Sequence, residues 1–306
     1  VDIENNDMLY DLACKLVNSS ELREKKNDKR KLEKECFVST FLNVDENLLP
    51  TPTDTGFVLN QEITNSAISL VSYCVSLSLY PVVYQGENDG RLIRHVVPKR
   101  TATEQTSSHG STKTFYPHVD NPDLRLRGES HTVSITPCPD TLTLFCLRNN
   151  EEVTTSLLRL DDVLSDLSDS DIACLYEPNF IVKRPDSFEE QSIRSPELPL
   201  LSKDKNGNIC SRFDYHNVYS RDRKNIKALE KLRESTRDKS KWLSVTLKPG
   251  QALTFDNQRM LHTRNGFKPY HHGKERWLLR VFGLSSPPAN DALLEGNCKH
   301  HLKTLY

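Results

Sequence analysis

Three short stretches carry side chains that can act together. In His118-Val119-Asp120 an imidazole and a carboxylate stand two residues apart in a strand-like context. Positions i and i+2 of a strand share a face, so both groups can converge on one point. Alone this is a weak signal: ten His and 42 Asp+Glu in 306 residues supply roughly one His-x-carboxylate by chance. A surface strand pair is the plain alternative. The second stretch, Phe255 to His262, leaves a Pro249-Gly250 turn as a strand and presents a His beside polar residues, where a hydrogen-bonded structural histidine is the competing reading. In the third, Arg276-Trp277-Leu278-Leu279-Arg280, strand geometry points Arg276, Leu278 and Arg280 one way and Trp277, Leu279 and Val281 the other. Two guanidinium groups facing a cavity are costly without an anion, although an edge strand with solvated arginines would also fit.

Taken together the stretches suit one chemistry. Two His and one carboxylate on one side of a metal leave open positions opposite, the facial arrangement of non-haem iron(II) sites. A dicarboxylate cosubstrate needs a planar bidentate donor for its far end, and Arg serves that better than Lys.

The elements that must position these groups are strands joined by turns. Strand-like stretches run over Pro81 to Gln85, Arg91 to Val97 after the turn Glu87-Asn88-Asp89-Gly90, Phe115 to Asp120, and Thr141 to Leu147. Further strands are expected over Trp242 to Leu247, Ala252 to Phe255 and Arg276 to Gly283. Helical spacing marks Leu9, Leu12, Ala13 and Leu16, a buried helix is expected over Ala67 to Leu79, and Leu157 to Leu167 reads as one helical face. Glu21 to Glu35 is nearly all charge and reads as a solvated helix face or loop. Thr101 to Thr114, polar and rich in Ser and Thr, reads as an ordered loop or edge. The pattern is mainly β with helical additions, a sandwich or jelly roll in a single domain over 1–306. Its parts are a mostly helical 1–80, a jelly-roll core over 81–285, and a polar insertion at 178–240 with few apolar anchors, expected to be a lid.

Composition narrows the field further. Charged residues make up 27% and hydrophobic ones 36%, and 41 Lys+Arg against 42 Asp+Glu give a net charge of −1. No global field attracts polyanions, so nucleic-acid binding is not expected. The apolar-leaning run Ala67 to Tyr84 is interrupted by Ser69, Ser72, Ser76 and Ser78 and does not suit a bilayer span. No signal peptide is read, and the eight cysteines form no CxxC pair, so reduced thiols and a cytoplasmic location are expected.

The chain resembles the iron(II)- and 2-oxoglutarate-dependent oxygenases, in the clavaminate synthase-like branch with the arginine and lysine hydroxylases. The resemblance covers roughly residues 80 to 285 and rests on Glu87 to Leu92, Phe115 to Asp120, Leu144 to Asn149, Asp256-Asn257, His262, and Arg276 with Arg280. The steps of 14 and 18 residues from His262 to Arg276 and Arg280 match that branch. The resemblance implies a double-stranded β-helix with iron held by His118, Asp120 and His262. It implies Arg276 as the clamp on the distal carboxylate of 2-oxoglutarate, with Ser156 or Thr155 as a second contact. Arg280 would meet the substrate carboxylate or the keto-acid end, while Ser108 and Gln85 fall where members bind the amino acid backbone.

The implied reaction is hydroxylation of an unactivated C–H of a free basic L-amino acid, of arginine or lysine type. Dioxygen is consumed, and 2-oxoglutarate leaves as succinate and carbon dioxide. The setting would be specialised-metabolite biosynthesis of the antibiotic kind. Two departures stand out. Asp120 replaces the Glu of the antibiotic arginine hydroxylases, and Asp214 is followed at the alternate position by His216 rather than a second acid. One carboxylate with an imidazole suits an ammonium or modified side chain as well as a guanidinium. Desaturation or cyclisation of a related amino acid remains open, and a non-catalytic jelly-roll ligand-binding protein is the remote alternative. A zinc hydrolase would leave the arginine pair without a role, and halogenation would require a small residue in place of Asp120.

Overall fold

The computed structural model describes residues 1–19, 25–100, 115–184, 194–264, 272–294 and 298–304. Helix α1 (Asn6–Ser19) buries Leu9 and Ala13. Helix α2 (Lys26–Glu35), almost wholly charged, buries only Leu32 and stops where Cys36 turns left-handed at φ 67°. Strand β1 (Phe37–Phe41) follows, and then α3 (Thr64–Ser76), which buries seven of its residues including Ala67, Leu70 and Val71. The rest of the chain supplies β2 (Tyr80–Tyr84), β3 (Arg94–Val96), β4 (Phe115–His118), β5 (Thr141–Arg148), β6 (Thr155–Arg159), α4 (Leu160–Leu164), α5 (Asp169–Leu175), β7 (Phe180–Val182), β8 (Leu201–Lys203), β9 (Ile209–Ser211), β10 (Val218–Ser220), α6 (Arg223–Thr236), β11 (Leu243–Val245), β12 (Gln251–Asp256), β13 (Met260–Arg264), β14 (Trp277–Leu284) and β15 (His301–Leu302).

Two sheets make the jelly roll. The larger runs β1-β12-β5-β14-β2-β15, with β3 also pairing β14, and the smaller runs β11-β6-β13-β4. Their facing sides share one core that includes Val119, Leu144, Leu157, Phe255, Leu261, Leu278 and Phe282. The outer face of the larger sheet carries Phe145, Trp277, Leu279 and Val281 against Leu9, Ala13, Leu70 and Val71 of α1 and α3. Strand β14 is apolar on both sides because it lies between these two cores, and its alternation sends Leu278, Arg280 and Phe282 inward. Gly283 marks a tight point, since a Cβ there would sit 2.5 Å from Thr141 Oγ1 and 3.2 Å from Leu79 Cβ.

Two sequence expectations change. Leu157 to Leu167 is not one helix: the segment pairs as β6 between β11 and β13 through Arg159, and only then turns into α4. Leu157 and Leu158 are both fully buried, because the smaller sheet has core on both sides here, and adjacent apolar residues imitate helical spacing. The polar segment 178–240 also holds more apolar anchors than expected. It forms the ribbons β7/β10 and β8/β9 and helix α6, and it contributes Phe180, Val182, Leu200, Phe213, Val218, Ala228, Leu229 and Leu232 to the main core. Arg212, fully buried, donates to the carbonyls of Pro122 and Leu124 at 2.9 and 3.0 Å and pairs with Glu129, tying this segment to the loop after Asp120. The N-terminal part is helical except that β1 closes the edge of the larger sheet against β12.

Candidate active site

His118 ends β4 and His262 lies in β13, directly opposite each other in the antiparallel pairing. Their rings sit 4.2 Å apart between centroids. Asp120 follows β4, with Oδ1 3.3 Å from His118 Nε2 and 3.5 Å from His262 Nε2. The ligand atoms of the three residues lie within 4.8 Å of one another, close enough to share a cation. The donor set fits iron(II): two imidazoles and one carboxylate on one side of a centre. The Tyr116 carbonyl, 2.7 Å from His118 Nδ1, accepts a hydrogen bond there, which puts the proton on Nδ1 and leaves the Nε2 lone pair for a metal. Burial alone would raise the Asp120 carboxyl, but His262, His118 and Arg280 bring it well below the usual range, so it is ionised.

The turn between β12 and β13 supports this arrangement. Asp256 Oδ1 accepts from the amides of Gln258 and Arg259 at 2.9 and 3.1 Å, while Arg127 grips both Asp256 oxygens at 2.7 and 2.6 Å. Asn257, fully buried, accepts from the Asp120 amide at 2.9 Å and donates to the Asp120 carbonyl at 3.0 Å. One side chain thus fixes the backbone of the carboxylate residue from the turn that leads to His262. The sequence marked Asp256-Asn257 as part of a motif without revealing this bond.

Two buried guanidinium groups lie beside the triad. Arg276 precedes β14, is 3% exposed, and donates from Nη2 to Thr155 Oγ1 at 3.2 Å. Its Nε has no partner among the described residues. Arg264 is likewise buried, and its guanidinium is pulled down to about 9 by burial and then by Arg276. Arg276 itself is brought to about 10 by burial. Two neighbouring buried cations, still charged at neutral pH, make a site that a carboxylate would complete. Arg264 was missed in the sequence, although its position two residues after His262 in the same strand was a usable signal. The pleat separates the two expected hydroxyls: Thr155 meets Arg276, while Ser156 turns the other way and bonds Ser244 Oγ at 2.9 Å across the β6–β11 pair.

On the other side of Asp120, Arg280 Nη1 is 3.7 Å from Asp120 Oδ2, and Nη2 pairs with Glu87. Glu87, 2% exposed, also accepts from Arg94 Nη1 at 3.2 Å. Gln85 is half-buried just after β2, with an Oε1 that has no described partner. It is Glu87, two residues on, that reaches Arg280. Ser108 lies outside the described residues. Asp214 is bridged to His118 at the edge of the smaller sheet, and its oxygens accept from the His216 amide at 3.2 Å and Asn217 Nδ2 at 2.9 Å. His216 is exposed and stands edge-on to Tyr116 and Tyr215 at 4.9 and 5.0 Å.

Comparison with known proteins agrees with this geometry. Residues 189–282 match the taurine catabolism dioxygenase TauD, TfdA family. The chain is 28% identical over 243 residues to an L-asparagine oxygenase of Streptomyces coelicolor, covering 78% of this chain and 67% of that one. It is 26% identical over 247 residues to an L-lysine 3-hydroxylase of Catenulispora acidiphila, covering 77% and 63%. The alignment therefore spans about two thirds of these relatives' length. A solved asparagine oxygenase with Fe(II), 2S,3S-3-hydroxyasparagine and succinate superposes with a TM-score of 0.79 at 22% identity, covering 100% of this chain and 98% of that one. The non-heme iron oxygenase OrfP, solved with Fe, succinate and (3S)-hydroxy-L-Arg, gives 0.76 at 20% identity, covering 97% and 96%. Among the described residues no helix is long and apolar enough to cross a membrane. The converging His118, Asp120 and His262, the buried arginines beside them and these matches agree in likening the chain to the iron(II)- and 2-oxoglutarate-dependent oxygenases.

Proposed function

We propose that the protein hydroxylates an unactivated C–H of a free basic L-amino acid. The observation that carries this reading is the flanking of His118, Asp120 and His262 by two separate arginine sites, Arg276 with Thr155 and Arg280 with Glu87. One receptor serves a dicarboxylate cosubstrate and the other the head of an amino acid. His118, Asp120 and His262 would hold the iron, and Arg276 with Thr155 would take the distal carboxylate of 2-oxoglutarate. Iron(II) with 2-oxoglutarate and dioxygen supplies the oxidising power, and succinate and carbon dioxide are released. The chain's own work is positioning, because the C–H held nearest is the one that reacts. Arg280 orients the substrate's α-carboxylate, and Asp214 attracts its cationic side chain.

Support for a basic side chain comes from buried Asp214 beside the ligands and from relatives named L-lysine 3-hydroxylase and L-ornithine/L-arginine 3-hydroxylase. A neutral amide substrate is the second reading. The L-asparagine oxygenase relative favours it, as does the engagement of both Asp214 oxygens within their own turn. A cytoplasmic setting belongs to the proposal, supported by eight unpaired cysteines. Reconstitution with iron(II) under nitrogen, followed by aerobic measurement of succinate release with each of the twenty amino acids, tests the reading. Lysine, ornithine or arginine should stimulate turnover most. Stimulation by asparagine alone establishes the second reading, and stimulation by none removes both.

A further inference from the structure

Arg94 and Arg280 are register partners in the β3–β14 pair, so two cations stand directly opposite one another on neighbouring strands. Like charges in that relation destabilise a sheet, and both side chains are buried, Arg94 to 1% exposure. Glu87 holds them there, with Oε1 accepting from Arg94 Nη1 at 3.2 Å and from Arg280 Nη2. The count of bonds is unequal. Glu87 Oε2, Arg94 Nε, Arg94 Nη2 and Arg280 Nε are all buried with no partner among the described residues. Glu87, Arg91, Arg94, Arg280 and Phe282 line a narrow cavity at this point. Even with Asp120 3.7 Å from Arg280 Nη1, one carboxylate between two guanidiniums leaves donors over, and the free Oε2 leaves an acceptor beside them. The leftover groups are complementary to a zwitterion.

We propose that Arg94 is a positioning residue that divides Glu87 between two guanidiniums, so that Arg280 takes the α-carboxylate and Glu87 Oε2 the ammonium of a free amino acid. The inference rests on the reading of the protein as an amino acid hydroxylase. Without Arg94, Glu87 and Arg280 would close on each other as a neutral bidentate pair, and both substrate contacts would weaken together. Arg94 need not touch the substrate. Its effect passes through Glu87, and it should vanish when Glu87 cannot close.

The test is calorimetric binding under nitrogen, with iron(II) and 2-oxoglutarate present, of the twenty L-amino acids and of the carboxamide of whichever binds most tightly. Arg94→Gln should weaken that amino acid by about tenfold or more and shrink the preference for free acid over carboxamide, while leaving 2-oxoglutarate affinity unchanged. Arg94→Lys, which keeps the charge, should lose only about two- to fivefold. In a Glu87→Gln background neither change at position 94 should weaken binding further. The Arg94→Lys comparison carries the test even if Arg94→Gln does not fold. An unchanged preference in Arg94→Gln, or equal losses with and without Glu87→Gln, overturns the inference alone. Absence of binding by every amino acid to the unaltered protein overturns the amino acid reading, and the inference with it.

Discussion

Asn257 shows how finely the candidate metal site is held. Its amide bonds both the N–H and the carbonyl of Asp120, so the carboxylate's direction depends on a neighbouring side chain. Asn257→Leu should lower iron affinity by roughly 10- to 100-fold, read by competition with a metal-binding dye, whereas His118→Ala or His262→Ala should remove iron binding outright. At the other receptor Arg276→Lys loses the planar fork. The KM for 2-oxoglutarate should rise by about tenfold or more with little change for the amino acid; a rise for the amino acid alone would exchange the roles of Arg276 and Arg280. Thr155→Val should act in the same direction, and Ser156→Ala should not, since Ser156 bonds Ser244 instead. Strand parity converts spacing into direction and made His118, Asp120, His262, Arg276 and Arg280 candidates; the family resemblance gave them roles, and the structure brings the first three together. Glu87 and Asn257 were marked only as motif positions, and Arg264 and Arg94 not at all, because the contacts of all four depend on which strands become neighbours, and no local pattern states that.

Among the elements, the segment 178–240 departs most from its sequence impression. Its apolar residues come in short runs, Phe180 to Val182, Leu198 to Leu201 and Ala228 to Leu232, set among long polar stretches, yet members of each run join the central core. Arg212 anchors the segment through three carbonyls and Glu129, entirely out of water. Arg212→Met should cost about 3–5 kcal/mol by stranding Glu129, measured by urea unfolding. An effect below about 1 kcal/mol would mean that the pair is exposed to solvent. Asp214 lies in the same segment, and Asp214→Asn should weaken a basic amino acid by on the order of tenfold while sparing 2-oxoglutarate. Strand identities were legible where a β-rich run stood alone between polar turns, as in β14, although core lies on both of its sides. They were lost in β6, where core on both sides removes the alternation.

For the whole molecule, His95 couples fold stability to acidity. It sits under β14, where its Nδ1 accepts from Trp277 Nε1 at 3.0 Å and must therefore be unprotonated. Burial first, and then Arg91, lower its pKa to about 4. The unfolded chain binds a proton near 6.5 and the folded one does not until about 4. Stability should thus be complete above the unfolded value and fall by on the order of 3 kcal/mol between those limits. Chemical denaturation across pH 4 to 7 checks this, and His95→Gln should flatten the profile.

His118 and His262 meet across a strand pair although 144 residues separate them in sequence. The loop they close is nearly half the chain, and pairings of such range are among the slowest to form. A chain still folding therefore owns neither a complete ligand set nor a place to hold the metal. Redox chemistry is postponed until the barrel has sealed, so the nascent polypeptide is spared the oxidant that its finished form directs at a substrate.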